Sequence, residues 1–382
     1  MGVVLLLPLA WFGAWVPDDP VMADHAGGGA LRFSPDGHWL VSHGSRGIHV
    51  WDPATGLEHA LDQVSAVPRE VPEARFGFGA RGKELVVFES GQFLAWDLES
   101  GARLRALRGP RDFLIFSLMA PDAEACLWVA GSAGVTLTET ATGKPRVLEV
   151  PGGDPGSFAF SERSGRVAGS GLASGREAWV RAWEVATGKV ILSARVLPPG
   201  RSRSLVVQTP PGSLSPDGKI LAVLRAPGSH APGVAGGPSA IQLWEVDSGA
   251  MAGELEGHRG QAWGAAFSPD LKRLATWGAS DLILWDLAER KAVLSRPGLI
   301  HAAAFLPDSS AVALVASPDF VHHQERVLTV VDLATGKDRF TRPPGFIHDL
   351  ACSPDGKTLA LSSDRGILLV DAATGGEINP KR

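Results

Sequence analysis

Val50-Trp51-Asp52-Pro53-Ala54-Thr55-Gly56 reads as a short apolar strand running into a tight turn, and the same phrase returns along the chain. It stands again at Ala95-Trp96-Asp97-Leu98-Glu99-Ser100-Gly101 and at Trp183-Glu184-Val185-Ala186-Thr187-Gly188. Shorter forms are Trp244-Glu245 with Ser248-Gly249, and Trp285-Asp286. Worn copies are Leu137-Thr138-Glu139 with Thr142-Gly143, Val331-Asp332 with Thr335-Gly336, and Val370-Asp371 with Thr374-Gly375. The Trp-equivalent positions 51, 96, 138, 183, 244, 285, 331 and 370 are separated by 45, 42, 45, 61, 41, 46 and 39 residues. A period of about 43 with one insertion marks an array of supersecondary units.

A second phrase precedes the first. Phe33-Ser34-Pro35-Asp36-Gly37, Leu214-Ser215-Pro216-Asp217-Gly218 and Cys352-Ser353-Pro354-Asp355-Gly356 carry it intact. Phe267-Ser268-Pro269-Asp270, Phe305-Leu306-Pro307-Asp308 and Met119-Ala120-Pro121-Asp122 are altered copies. The chemistry is that of a reverse turn. Proline presets φ, aspartate bonds its own backbone, and glycine takes a positive φ cheaply. Ser317-Pro318-Asp319-Phe320 has the same letters, but the repeat phase puts it in a loop.

Between the phrases lie apolar stretches such as residues 85–88, 220–224 and 358–362. They are apolar on both faces, as strands are when other layers cover a sheet on either side. Helical periodicity and helix caps are missing almost throughout. The expectation is an all-β chain: one closed ring of antiparallel, four-stranded units from about residue 29 to 380, eight in number. Seven is the alternative, if the third or fifth unit fails to form its own sheet. The fifth is interrupted by Pro210-Pro211-Gly212.

Laid out in this way, the chain resembles the WD40-repeat β-propellers, in the degenerate form found in bacterial proteins. The resemblance covers about nine-tenths of its length. The sixth unit is nearest the family pattern, with Gly257-His258, Ala266-Phe267-Ser268-Pro269-Asp270, Leu274-Ala275-Thr276 and Trp285-Asp286. The resemblance implies a hydrogen-bonded lock within that blade made by His258, Thr276, Asp281 and Trp285. A buried indole N–H needs such an acceptor. Other units lack the Gly-His pair, and Thr138-Glu139 replaces Trp-Asp in the third. Asp332 to Lys337 is also similar to a phrase of eight-bladed quinoprotein-like propellers, but the Trp and the paired cysteines of that family do not follow.

Composition narrows the function classes. The 382 residues hold 46 Gly and 28 Pro, many turns but not a disordered chain. A formal charge of -5 argues against a basic face for nucleic acid. Two cysteines make no disulfide scaffold. Residues 3–16 form an apolar run too short to span a bilayer comfortably. With Val21-Met22-Ala23 as a cleavage site, residues 1–23 fit an export signal, followed by a propeller over 24–382. That placement makes the mature chain extracytoplasmic, periplasmic or secreted, with no membrane span. If the run is instead a buried first strand or follows a mis-set start codon, the chain is cytoplasmic.

Rival motifs have plainer explanations. Gly77-Phe78-Gly79-Ala80-Arg81-Gly82 fits a dinucleotide fingerprint, but a strand follows where that motif needs a helix. His322-His323-Gln324-Glu325 lacks a third metal ligand at usable spacing. No catalytic elbow, zincin motif or phosphate loop occurs. The expectation is a non-catalytic platform for a protein or peptide, with no cofactor and no metal. An exported ligand-binding or enzymatic propeller, quinoprotein-like or otherwise, is the alternative. The resemblance implies that loops before the first strand and between the second and third share one face. The extra length falls there, at residues 171–178, 197–204, 226–239 and 317–326. At the channel mouth of this face the repeat register places Arg75, Trp263, His301, His348 and Asp349, with Trp263 the chief candidate anchor.

Overall fold

A computed structural model describes residues 30–379 apart from 45–46, 63–75, 80–81, 90–91, 109–113, 131–133, 174–176, 197–204, 211, 228–237, 318–325, 343–344 and 364–365. Among the described residues there are 31 strands and no α-helix. They form eight antiparallel sheets, each built from consecutive strands in simple order, so no strand is donated by a distant part of the chain. Blade 1 covers 31–59, blade 2 76–108, blade 3 114–148 and blade 4 153–196. Blade 5 covers 205–256, blade 6 262–297, blade 7 299–341, and blade 8 begins at 347. In blade 8 three strands are followed by a single bridge from Val370 to Glu377, which holds the fourth position.

The first strand of each blade is the innermost. First strands touch between blades 4 and 5, 6 and 7, and 7 and 8, and between blades 8 and 1, where the two ends of the array meet. Blade faces are mostly apolar and buried. Apolar side chains of one blade interdigitate with those of the next, as Leu306, Val315 and Val330 of blade 7 do with Leu350, Leu361 and Val370 of blade 8. This explains why the middle strands read apolar on both faces. Radial packing leaves them no solvated side.

The two turn phrases do local work. Ser34 Oγ donates to Asp36 Oδ1 at 2.6 Å and accepts from the Trp39 amide at 2.9 Å, closing the Ser-Pro-Asp-Gly turn. Asp332 accepts from the Thr335 amide and hydroxyl and from Arg339, and these bonds hold its carboxyl down to about 2. Turns of adjacent blades also meet, as Ser161 Oγ donates to Pro216 O at 2.8 Å and the Asp270 amide to Ser309 Oγ at 3.1 Å. These contacts tie the turns of blades 4 and 5 and of blades 6 and 7 together.

Blade 5 does form its own sheet. Its inner strand, Leu205–Gln208, stops at the prolines, and Leu214 then resumes the pairing by a bridge to Leu221. Gly212 makes this possible. Its φ is +86°, and a Cβ there would stand 2.5 Å from Ala265 O of blade 6.

Candidate functional site: the channel mouth

Inner strands carry a repeated irregularity. In blades 3, 4, 6, 7 and 8 one extra residue interrupts pairing with the second strand: Ile115, Gly156, Trp263, His301 and His348. In the last three blades each lies six residues before the proline of the turn phrase, so the bulges are equivalent. A β-bulge bends its strand and re-aims a side chain away from the ladder. Trp263, His301 and His348 thus occupy one position on three consecutive blades, at the loop-bearing end of the inner strands.

Their surroundings differ. Trp263 is 36% exposed, unusual for an indole in a chain whose other described tryptophans are buried or half-buried. His301 is half-buried, with Nε2 2.8 Å from Ser317 Oγ at the end of the second strand. His348 is half-buried beside Phe346, which is 39% exposed.

Asp349 is differently employed. Its Oδ2 accepts the Leu31 amide of blade 1 at 2.9 Å, and its Oδ1 accepts the Leu350 amide at 2.8 Å. Its own amide donates to Ser362 Oγ at 3.0 Å. Burial nevertheless raises its pKa, against the opposing effect of the two amides and of Arg32. The carboxylate fastens the last blade to the first. Arg75 lies outside the described residues, as do most of the four long loops.

The structure brings His258, Asp281, Thr276 and Trp285 into one chain of hydrogen bonds. His258 Nδ1 bonds Asp281, His258 Nε2 lies 2.7 Å from Thr276 Oγ1, and Trp285 Nε1 donates to that same hydroxyl at 2.8 Å. All four side chains are buried, and burial lowers the His258 pKa against the pull of Asp281. Blade 1 repeats the indole bond, from Trp51 Nε1 to Ser42 Oγ at 2.9 Å.

Blade 3, where Trp-Asp is absent, holds the same bond in mirror form. Trp128 on the second strand donates to Thr138 Oγ1 on the third at 2.8 Å. Trp285 pairs with Leu274, two residues before Thr276; Thr138 pairs with Cys126, two residues before Trp128. Indole and hydroxyl have exchanged strands at fixed register. In blades 2 and 4 the indole turns instead to a loop carbonyl: Trp96 to Asp62 O at 2.8 Å and Trp183 to Glu149 O at 3.3 Å.

Among the described residues no group of three His, Cys, Asp or Glu side chains is placed to hold a metal ion. Cys126 and Cys352 lie in blades 3 and 8, and neither forms a disulfide. Burial and the nearby carboxylates of Asp355 and Asp308 push the Cys352 thiol up to about 12, so it is not a thiolate nucleophile at neutral pH. No helix among the described residues is long and apolar enough to cross a membrane.

The family model for the WD domain, G-beta repeat, matches residues 21–52, which end on Trp51-Asp52. WD repeat-containing protein SL1-17 of Schistosoma mansoni is 28% identical over 148 residues, 37% of this chain and 47% of that protein. The small ribosomal subunit protein RACK1y of Oryza sativa subsp. japonica is 28% identical over 165 residues, 41% of this chain and 49% of its own. The chain is a β-propeller whose repeats are similar to WD40 repeats. It spans about half the length of these curated relatives. A crystal structure of the eukaryotic initiation factor shares the fold, with a TM-score of 0.58 at 16% identity, over 94% of this chain and 90% of that one. The eight sheets make eight blades, with the indole lock complete in blade 6, partial in blade 1 and reversed in blade 3.

Proposed function

We propose that this propeller is a non-catalytic platform that holds a protein or peptide partner at the channel mouth of its loop-bearing face. One observation carries the reading: three consecutive blades carry the same inner-strand bulge, at Trp263, His301 and His348. A bulge re-aims its side chain away from the ladder. Two exposed aromatic residues, Trp263 and Phe346, supply the rigid apolar area that dominates interface energies. Likeness to RACK1y, named as a small ribosomal subunit protein, supports a role within a larger assembly.

The test is capture from an extract with the immobilised propeller, read by mass spectrometry, followed by titration of the partner. Trp263→Ala is expected to weaken binding by about 2 kcal/mol or more with the fold intact. Lys357→Glu, in the turn phrase on the opposite face, is expected to bind normally. The reverse pattern would place the interface on the wrong face.

A further inference from the structure

Trp244 holds in blade 5 the position that Trp51 and Trp285 hold in blades 1 and 6, yet the hydroxyl that serves those two indoles is missing. In blade 6 Trp285 pairs with Leu274, and its Nε1 donates to Thr276, two residues further along the second strand and opposite Ile283. In blade 1 Trp51 pairs with Leu40, and its Nε1 donates to Ser42, opposite His49. In blade 5 Trp244 pairs with Leu221, and two residues further along stands Val223, opposite Gln242. The shared register aims the Trp244 indole at the rung of Val223 and Gln242, where a methyl group takes the place of the hydroxyl.

Two polar groups at that rung are buried and unmet. Trp244 is 8% exposed and Gln242 5%, and among the described residues neither Trp244 Nε1 nor Gln242 Oε1 has a hydrogen-bond partner. Residues two apart on a strand share a face, as do residues paired directly across an antiparallel ladder. Trp244, Gln242 and Val223 therefore point together into the seam with blade 4, where Trp244 and Val223 pack with Val180 and Leu192. Arg225 and Glu254, bonded to one another, lie on the same face, opposite Ala240 and Gln242. A buried donor or acceptor left unmet carries its full desolvation penalty. Here one of each stands at a single rung, which suits a molecule that accepts from one and donates to the other.

We propose that a water molecule completes the lock of blade 5, accepting from Trp244 Nε1 and donating to Gln242 Oε1. Buried waters are held at polar sites by two to four partners, whereas apolar spaces stay dry. The indole and the amide supply two, and the ion pair of Arg225 and Glu254 makes this stretch of the seam polar. The water does what the Thr276 hydroxyl does in blade 6, which accepts from Trp285 and meets His258 on its other side. A bridging water is nearly as good as a direct bond and costs little ordering. The partner groups come from one strand, so the site exists whatever the propeller captures at its channel mouth.

The experiment is a crystal structure of the full chain, at a resolution that orders buried waters, with urea unfolding of three variants. One water is expected within about 3.2 Å of both Trp244 Nε1 and Gln242 Oε1. No water there, or Gln242 turned to take the indole directly, overturns the proposal. Val223→Thr is expected to bring a hydroxyl to the register of Thr276, displace the water and raise the urea midpoint. Gln242→Leu is expected to raise the unfolding constant roughly 5–30-fold in the native background, but less than about threefold beside Val223→Thr, where the indole keeps a partner. An effect as large in the second background as in the first overturns the proposal. Should Gln242→Leu fail to fold, Val223→Thr carries the test, and a lowered midpoint then refutes it.

Discussion

Exchanging Trp128 and Thr138 should restore what each single substitution breaks. Trp128 is 7% exposed and Thr138 2%, and they share a bond of 2.8 Å across strands two and three of blade 3. Trp128→Thr empties an indole-sized space and should cost about 3 kcal/mol or more, by analogy with large-to-small core changes. Thr138→Trp forces a second indole beside the first and should cost about 1–3 kcal/mol. Simple addition puts the double variant roughly 4–7 kcal/mol below the wild type. The double variant, however, has the arrangement that blades 1 and 6 already use, with the indole on the third strand and the hydroxyl on the second. Diagonal neighbours in an antiparallel pair lie within reach of a long aromatic side chain, whichever strand supplies it. The double variant should therefore lose only about 1–2 kcal/mol, a coupling of roughly 2–6 kcal/mol. Urea unfolding of the four proteins, followed by circular dichroism and fluorescence together, measures the cycle. A double variant as unstable as the sum of the singles refutes the claim that register, not strand, defines the bond.

Three further outcomes are expected. Thr276→Val removes the hydroxyl that serves both His258 and Trp285 and should cost about 2–4 kcal/mol, since each buried polar group left unpaired costs about 1–3 kcal/mol; a loss under about 0.5 kcal/mol in urea would count against the lock. Because burial holds the His258 pKa below 6.5, the unfolded chain takes up that proton first; stability should be full above about pH 6.5, fall as pH drops toward the folded pKa, and lose this component in His258→Asn. Finally, we propose that residues 1–23 are an export signal, so mass spectrometry of the native protein should find a mature chain beginning near Asp24; an intact Met1 in a cytosolic fraction would defeat this.

The repeat phrases carried the ring, because each is a turn with its own local chemistry: Ser34 and Asp36 bond within five residues of one another. What depends on pairing was not legible. The bulges at Trp263, His301 and His348 exist only relative to the second strand, and no residue type announces them. The exchanged pair of blade 3 was hidden for a related reason, since a search for Trp before Asp finds only Thr138. A tryptophan ten residues upstream of a Trp-equivalent Thr was the available signal. Asp349 was legible as a charged residue near the mouth, but its bond to Leu31 spans 318 residues of sequence and belongs to ring closure.

Placing the mouth residues on bulges separates the chemistry of this surface from the integrity of the sheets. A ladder residue is tied to a partner across the strand, so changing it disturbs pairing as well as surface. A bulge residue stands outside the backbone pairing, and the backbone there behaves as a socket that accepts different side chains. Blades 6, 7 and 8 carry indole, imidazole and imidazole in equivalent sockets. Blade 4 leaves its socket empty: Gly156 stands there, and a Cβ would lie 3.0 Å from Ser170 O. New specificities can therefore be grafted onto blades 6 to 8 one residue at a time, whereas blade 4 first requires its second strand to give way by a few tenths of an ångström.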